Sequence, residues 1–323
     1  MTLPSDPAPG DDLVPDMRRF QRWLAAAYAR HPPLDSVSLP EARLIAERVR
    51  APLTQGGPTM VHRRDLQIET AHGALGLRIH TPTAASRHPA LLYLHGGGWV
   101  FFSVDTHDRL MRELAARAGR TVIGVDYARA PEARYPVARE QAVAAWRWAQ
   151  AHAAELDIDA AGIALGGDSA GANLALAAAL VLRDAGERPD ALLLNYGVFD
   201  DDDSTESYTR FDGPAYNLGR DEMRWFWDRY LGDPRATDGD PLAMPLKARL
   251  AGLPRCCLVV PECDVLRDNS LALAARLREA GVPTALQRHP GAVHSFLEAI
   301  SFSEAAEAAL AQSSAWLRGD APG

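Results

Sequence analysis

The stretch Gly167-Asp168-Ser169-Ala170-Gly171 lies between a strand-like run, Ile163 to Leu165, and a helix-like run, Asn173 to Leu182. In a G-x-S-x-G turn from strand into helix the chain bends so sharply that flanking side chains would collide. Glycines are therefore needed beside the serine, and the hydroxyl is pushed into the open. Ser169 is the candidate nucleophile. The pattern alone is weak evidence, since a chain of 323 residues holds about 0.1 chance match, so its surroundings must carry the rest.

Upstream, the apolar run Ala90 to Leu94 leads into His95-Gly96-Gly97-Gly98-Trp99, which reads as a strand ending in a glycine-rich loop. Three glycines strip this loop of side chains. The loop's bare N–H groups, with that of Ala170, can then hold the oxyanion of an acyl-transfer intermediate; the plain alternative is a tight turn. A serine hydroxyl also needs a base, and the base needs a carboxylate to fix its tautomer. Asp264 follows the strand-like run Cys256 to Val260 and precedes a helical pattern, Leu271 to Ala280. His294 follows the run Thr284 to Arg288 and the turn Pro290-Gly291. Asp268 and Glu262 are weaker carboxylates, because Asp268 is placed to cap or start the next helix. His289 still belongs to a strand end, and His107 and His152 read as surface positions on helical segments.

With these residues in order, the chain resembles the hormone-sensitive lipase family of α/β-hydrolases, which includes many bacterial carboxylesterases. The likeness runs from about Leu75 to Leu317 and rests on HGGGW at 95 to 99, Asp105-Thr106-His107-Asp108, Asp126-Tyr127 with Ala130-Pro131-Glu132, GGDSAGANLA at 166 to 175, Asp264-Val265-Leu266-Arg267-Asp268 and Gly291-Ala292-Val293-His294-Ser295-Phe296. It implies an α/β-hydrolase fold with a helical cap, and a triad of Ser169, Asp264 and His294. It also implies an oxyanion hole from Gly97, Gly98 and Ala170, with His95, Gly96, Asp168 and Glu132 in support. Two departures stand out: Ala128-Arg129 intervene before Ala130-Pro131-Glu132, and Phe102 stands where the family often has glycine.

Strand-like runs at 61–70, 75–81, 90–95, 121–126, 162–166, 191–196, 256–260 and 284–288 alternate with helical segments in the later part of the chain. This predicts a mainly parallel eight-stranded sheet covered on both faces, opened by an antiparallel hairpin. Residues 1–55, with helical character over Met17 to Ala29 and Pro40 to Val49, read as an N-terminal cap segment, and 56–323 as the catalytic domain. Between Phe199 and Pro241 the alternation pauses, giving a second cap insertion at about 200–241. Its aromatic residues mostly predict core; Tyr216, together with Trp99 and Phe102, is a candidate pocket wall. The run Asp200 to Asp203 reads as a solvated loop rather than a metal site.

A net charge of −8 without a basic stripe argues against nucleic acid and anionic membrane surfaces, and favours a small-molecule partner. The Pro- and Asp-rich start lacks an apolar h-region and no later run approaches a membrane span, which makes a cytoplasmic enzyme the expectation. Cys256, Cys257 and Cys263 cannot all pair and cluster by a strand, as buried thiols do. No C-x-x-C, zinc helix, Rossmann fingerprint or P-loop is present, and serine chemistry needs no cofactor or metal. The expectation is a serine carboxylesterase for short-to-medium acyl esters. An amidase or formamidase with the same triad is the alternative, and a non-catalytic ligand receptor on this fold a more remote one. Dimers are common among the proteins it resembles, so a homodimer stays open, though no interface signature is legible.

Overall fold

A computed structural model describes residues 10, 12–85, 87–232 and 239–320. Most of the Pro- and Asp-rich start and residues 233–238 of the second expected cap piece lie outside the described residues. Eight strands form close to where the apolar runs place them: β1 (His62–Thr70), β2 (Gly73–Thr81), β3 (His88–Leu94), β4 (Thr121–Asp126), β5 (Ile158–Asp168), β6 (Ala191–Asn195), β7 (Arg255–Cys263) and β8 (Thr284–Val293). They build one sheet of order β1-β2-β4-β3-β5-β6-β7-β8. β1 and β2 form the antiparallel hairpin, β2 also lies antiparallel to β4, and β3 to β8 run parallel.

Three strands outrun their apolar cores. β5 begins at Ile158 because His88 pairs with it, and β7 and β8 stay paired past an irregularity, as far as Cys263 and Val293. Backbone pairing recruits polar residues such as Glu262 and His289 that side-chain alternation excludes.

The helices α1 (Pro15–Tyr28), α2 (Leu39–Arg50), α3 (Asp108–Ala118), α4 (Val137–Ala151), α5 (Ala170–Asp184), α6 (Glu206–Arg210), α7 (Arg220–Leu231), α8 (Arg267–Glu279) and α9 (Glu304–Arg318) pack around this sheet. α5 is buried on nearly every side, which is why its sequence is mostly alanine and leucine rather than amphipathic. Each of its fully buried leucines, Leu174, Leu176, Leu180 and Leu182, contributes roughly 1.5–3 kcal/mol of burial. α1 and α2 carry proline in their first turns and bury Met17, Phe20 and Leu24, and Ala42, Ile45, Ala46 and Val49, at helical spacing.

One side chain fastens α2 to the sheet side of the molecule. Arg43 donates from Nε to Val100 O (2.8 Å) and from Nη2 to Ala130 O (2.7 Å). It also grips Glu132 at both carboxylate oxygens (2.9 and 2.7 Å). The unusual Ala128-Arg129 pair is anchored in turn by Ala128 N to Gln141 Oε1 (2.8 Å) and Arg129 Nη1 to Phe102 O (2.7 Å).

Glycines mark where backbones touch. A Cβ at Gly171 would lie 1.9 Å from Leu94 O, whereas one at Gly76 in β2 meets only the Asp126 side chain, at 3.4 Å or more. Gly171→Ala should cost more than about 3 kcal/mol or prevent folding, while Gly76→Ala stays within about 1 kcal/mol of the parent. Thermal unfolding of the two variants side by side checks this, and equal midpoints would contradict it.

Candidate active site

Four strand ends converge on one side of the sheet. β3 runs into His95 to Gly98, β5 stops one residue before Ser169, β7 one before Asp264, and β8 one before His294. In open parallel sheets this carboxyl edge is where ligands bind.

Ser169 occupies a strained conformation, φ 53 and ψ −120, between β5 and α5. Its N–H is fixed to Asn195 O (2.9 Å), and the room for the turn comes from Gly167, whose Cβ would sit 2.4 Å from the carbonyl carbon of Gly171. Ser169 Oγ lies 3.0 Å from His294 Nε2. His294 Nδ1 lies 2.8 Å from Asp264 Oδ2, and the other oxygen of that carboxylate accepts from Leu266 N (2.9 Å). The imidazole is held edge-on against Tyr196 (5.1 Å). All three reacting groups are buried.

The glycine loop stands opposite. Gly97 and Gly98 have φ of 106 and 59, and a Cβ at either would strike Phe101 O (2.3 Å) or the Phe226 ring (2.2 Å). Among the described residues the N–H groups of Gly97, Gly98 and Ala170 have no protein acceptor. Ala170 is the first residue of α5, where no intrahelical acceptor exists and the helix dipole adds positive potential. The arrangement can hold a developing negative oxygen beside the serine.

The supporting residues brace this loop from beneath. His95 Nδ1 donates to Gly96 O (2.7 Å), and its ring stacks on Tyr127 (4.3 Å), whose hydroxyl donates to His95 O (2.8 Å). Burial, with the nearby His107, lowers His95 to a pKa of about 3, so it is a neutral strut. Gly96 is glycine because a Cβ would lie 2.4 Å from Asp168 Oδ2. Asp168 accepts from Tyr93 OH (2.9 Å) and faces His107 Nε2 at 3.3 Å. His107 is fully enclosed, contrary to its reading as a surface residue: it precedes α3 as the cap residue, and its ring turns inward to Asp168. Burial opposes both charges, yet each is held by the other, with Asp168 pulled below and His107 lifted above its ordinary range. Glu132 takes no part in the triad; its carboxylate is largely exposed and is held by Arg43, which lowers its pKa.

A cavity of about 280 Å³ opens above Ser169 and His294. Phe102 lines it, and so do Phe226, Met223 and Tyr28. Trp99 and Tyr216 do not. With φ 60, Trp99 turns its indole under α7, stacked on Tyr230 (4.2 Å) and against Trp227 (4.7 Å). Tyr216 is buried against Phe211, its hydroxyl accepting from Gly10 N (3.0 Å). Charged residues that the sequence left unnoticed, Arg50 and Glu222, also line the cavity, as contacts between segments far apart in the chain.

The rival residues have other partners. Asp268 accepts from Ser207 N (2.8 Å) and pairs with Arg267, Glu262 pairs with Arg288 (2.8 Å), and His289 packs on Phe296 (5.3 Å), where burial lowers it to about 4. Asp200 and Asp201 hold Lys247 at 3.2 and 3.1 Å. The three cysteines are buried free thiols. No helix among the described residues is long and apolar enough to cross a membrane.

Burial lowers the His294 pKa, but the charge and hydrogen bond of Asp264 raise it further, for a net rise above 6.5. A protonated imidazole cannot take the serine proton, so activity falls as pH drops through this raised value. The acid limb of kcat/KM against pH should be centred above 6.5, with unit slope; a limb at or below the ordinary imidazole value would contradict the pairing.

A family model described as alpha/beta hydrolase fold matches residues 91–298. An acetyl esterase of Salmonella typhi is 37% identical over 237 residues, which is 72% of this chain and 73% of that protein. A hyperthermophilic esterase from the archaeon Pyrobaculum calidifontis superposes with a TM-score of 0.89 at 31% identity, over 95% of this chain and 98% of its own. A thermostable carboxylesterase cloned from a metagenomic library gives 0.85 at 35% identity, over 88% and 98%. The chain belongs to the α/β-hydrolase-fold family, in its hormone-sensitive lipase branch, among the carboxylic ester hydrolases.

Proposed function

We propose that the protein is a serine carboxylesterase acting on short-chain esters through an acyl-enzyme. The observation that carries this is the unbroken relay Ser169 Oγ to His294 Nε2 (3.0 Å) and His294 Nδ1 to Asp264 (2.8 Å), opening onto a cavity edged by unpaired glycine N–H groups. Ser169 attacks the ester carbonyl as His294 accepts its proton. The carbonyl oxygen, now negative, is held by the N–H groups of Gly97, Gly98 and Ala170, and Asp264 steadies the imidazolium. His294 then returns the proton to the leaving alkoxide. A water, deprotonated by the same imidazole, cleaves the acyl-serine and frees the acid.

The volume of about 280 Å³ is at the low end of small-molecule sites, which supports short acyl chains. The acetyl esterase relatives point the same way. α1, α2 and the segment 200–241 act together as the cap, since α1, α2 and α7 all contribute cavity wall.

Initial rates on p-nitrophenyl esters of two to twelve acyl carbons should peak at the short end and collapse in Ser169→Ala by at least about 10⁴-fold. Persistent hydrolysis by the variant would remove Ser169 from its role, and a peak among the long chains would remove the size reading. A matched acetanilide should turn over far more slowly than the ester; comparable rates would favour the amidase alternative.

A further inference from the structure

Arg50 ends α2 with its side chain enclosed, 6% exposed, at the wall of the same cavity that holds Ser169 and His294. Its guanidinium lies over the Phe102 ring, 5.0 Å from the centroid, which fixes the plane in which its donors point. From the core side Glu298, equally enclosed, approaches Nη1 at 3.2 Å. Yet Nε and Nη1 are buried without a hydrogen-bond acceptor. Tyr28 engages the side chain as well, so the unsatisfied donors are Nε and Nη1, for which Glu298 supplies charge balance but not hydrogen bonding. Buried donors of a charged group left unsatisfied are expensive, and a side chain on the wall of the cavity that holds Ser169 is suited to donate to a ligand's oxygen.

The charge around Arg50 decides which oxygen. Its one positive charge already faces Glu298, and a second carboxyl group, Glu222, lines the cavity with no ion-pair partner among the described residues. An anionic ester would enter beside two carboxyl groups and one cation. A neutral ether, hydroxyl or carbonyl oxygen gains the hydrogen bond without that repulsion.

We propose that Arg50, backed by Glu298 and stacked on Phe102, is a specificity residue that selects esters carrying a neutral hydrogen-bond-accepting oxygen in the acyl or alcohol portion. The proposal rests on the esterase reading above and names its substrate class. Arg50 touches the body of the substrate and takes no part in proton transfer.

Isosteric pairs isolate the oxygen from the size of the chain. On the acyl side these are p-nitrophenyl methoxyacetate and p-nitrophenyl butyrate; on the alcohol side, 2-methoxyethyl acetate and butyl acetate. Taking each kcat/KM ratio in the wild type and again in Arg50→Met/Glu298→Gln cancels intrinsic reactivity, and the double change avoids stranding Glu298. The preference for the methoxy member should fall about tenfold in the variant for at least one pair, the size of one hydrogen bond to a charged group. Arg50→Lys keeps the charge but not the planar donor set and should lose most of the same preference; it decides by the same criterion if the double variant does not fold. Ratios unchanged within twofold for both pairs would overturn the proposal and leave Arg50 a structural tie between α2 and the core. Faster turnover of monoethyl succinate than of ethyl butyrate by the wild type would overturn it in favour of an anion site. Wild-type hydrolysis of p-nitrophenyl acetate is measured alongside, because its absence would count against the esterase reading itself rather than against Arg50.

Discussion

Bare backbone packed against bare backbone at the elbow is the constraint on which the rest depends. Gly171 lies against Leu94 O, the last residue of β3, and Gly167 against Gly171 itself. That approach holds Ser169 at a positive φ, a conformation costing roughly 1–3 kcal/mol unless its surroundings impose it. It also sets the start of the 95–98 loop relative to the start of α5. Ser169 and the N–H groups of the glycine loop are therefore placed by one contact, which sets the distance between them.

Charge inside the molecule is handled in pairs, and the pairs differ in purpose. His95 and His294 are both enclosed imidazoles. His95 meets a carboxylate only at 4.0 Å, Asp126, so burial prevails and it stays neutral, whereas Asp264 at 2.8 Å makes His294 a stronger base than free imidazole. Asp168 and His107 form a second carboxylate–imidazole pair directly beneath the glycine loop, but His107 does not reach the serine, and the pair serves to tie β5 to the start of α3. The chemistry thus depends less on residue type than on which strand end carries each partner.

Much of this was legible in the sequence. The candidate triad could be picked out because each member follows an apolar strand run and because G-x-S-x-G is a steric requirement written in residue types. The candidate oxyanion loop could be picked out because its three glycines follow a strand run and precede the serine turn in the expected order. What escaped was side-chain direction. Trp99 follows Gly98 in the chain, yet a left-handed backbone turns it away from the cavity to Tyr230, and Tyr216 turns to the amino-terminal segment. His107 belonged to a recognised motif, but only the fold shows that its neighbour is Asp168, 61 residues away. Arg50 and Glu298 are separated by about three quarters of the chain, and no local pattern announces a pair of that kind.

The grip of Arg43 has a consequence for how such a molecule admits its ligands. A helix roofing a cavity is commonly pictured as a door. α2 is instead riveted by Arg43 to the backbones of Val100 and Ala130 and to Glu132, and by Arg50 to Glu298 close behind His294. Swinging it outward would break these bonds together and would pull on the glycine loop and the histidine turn at the same moment. The roof and the floor form a single truss. Any sequence drift that reshapes α2 is thereby registered at the reacting atoms, so the breadth of substrates this scaffold can explore is tied to how faithfully it keeps its own catalytic alignment.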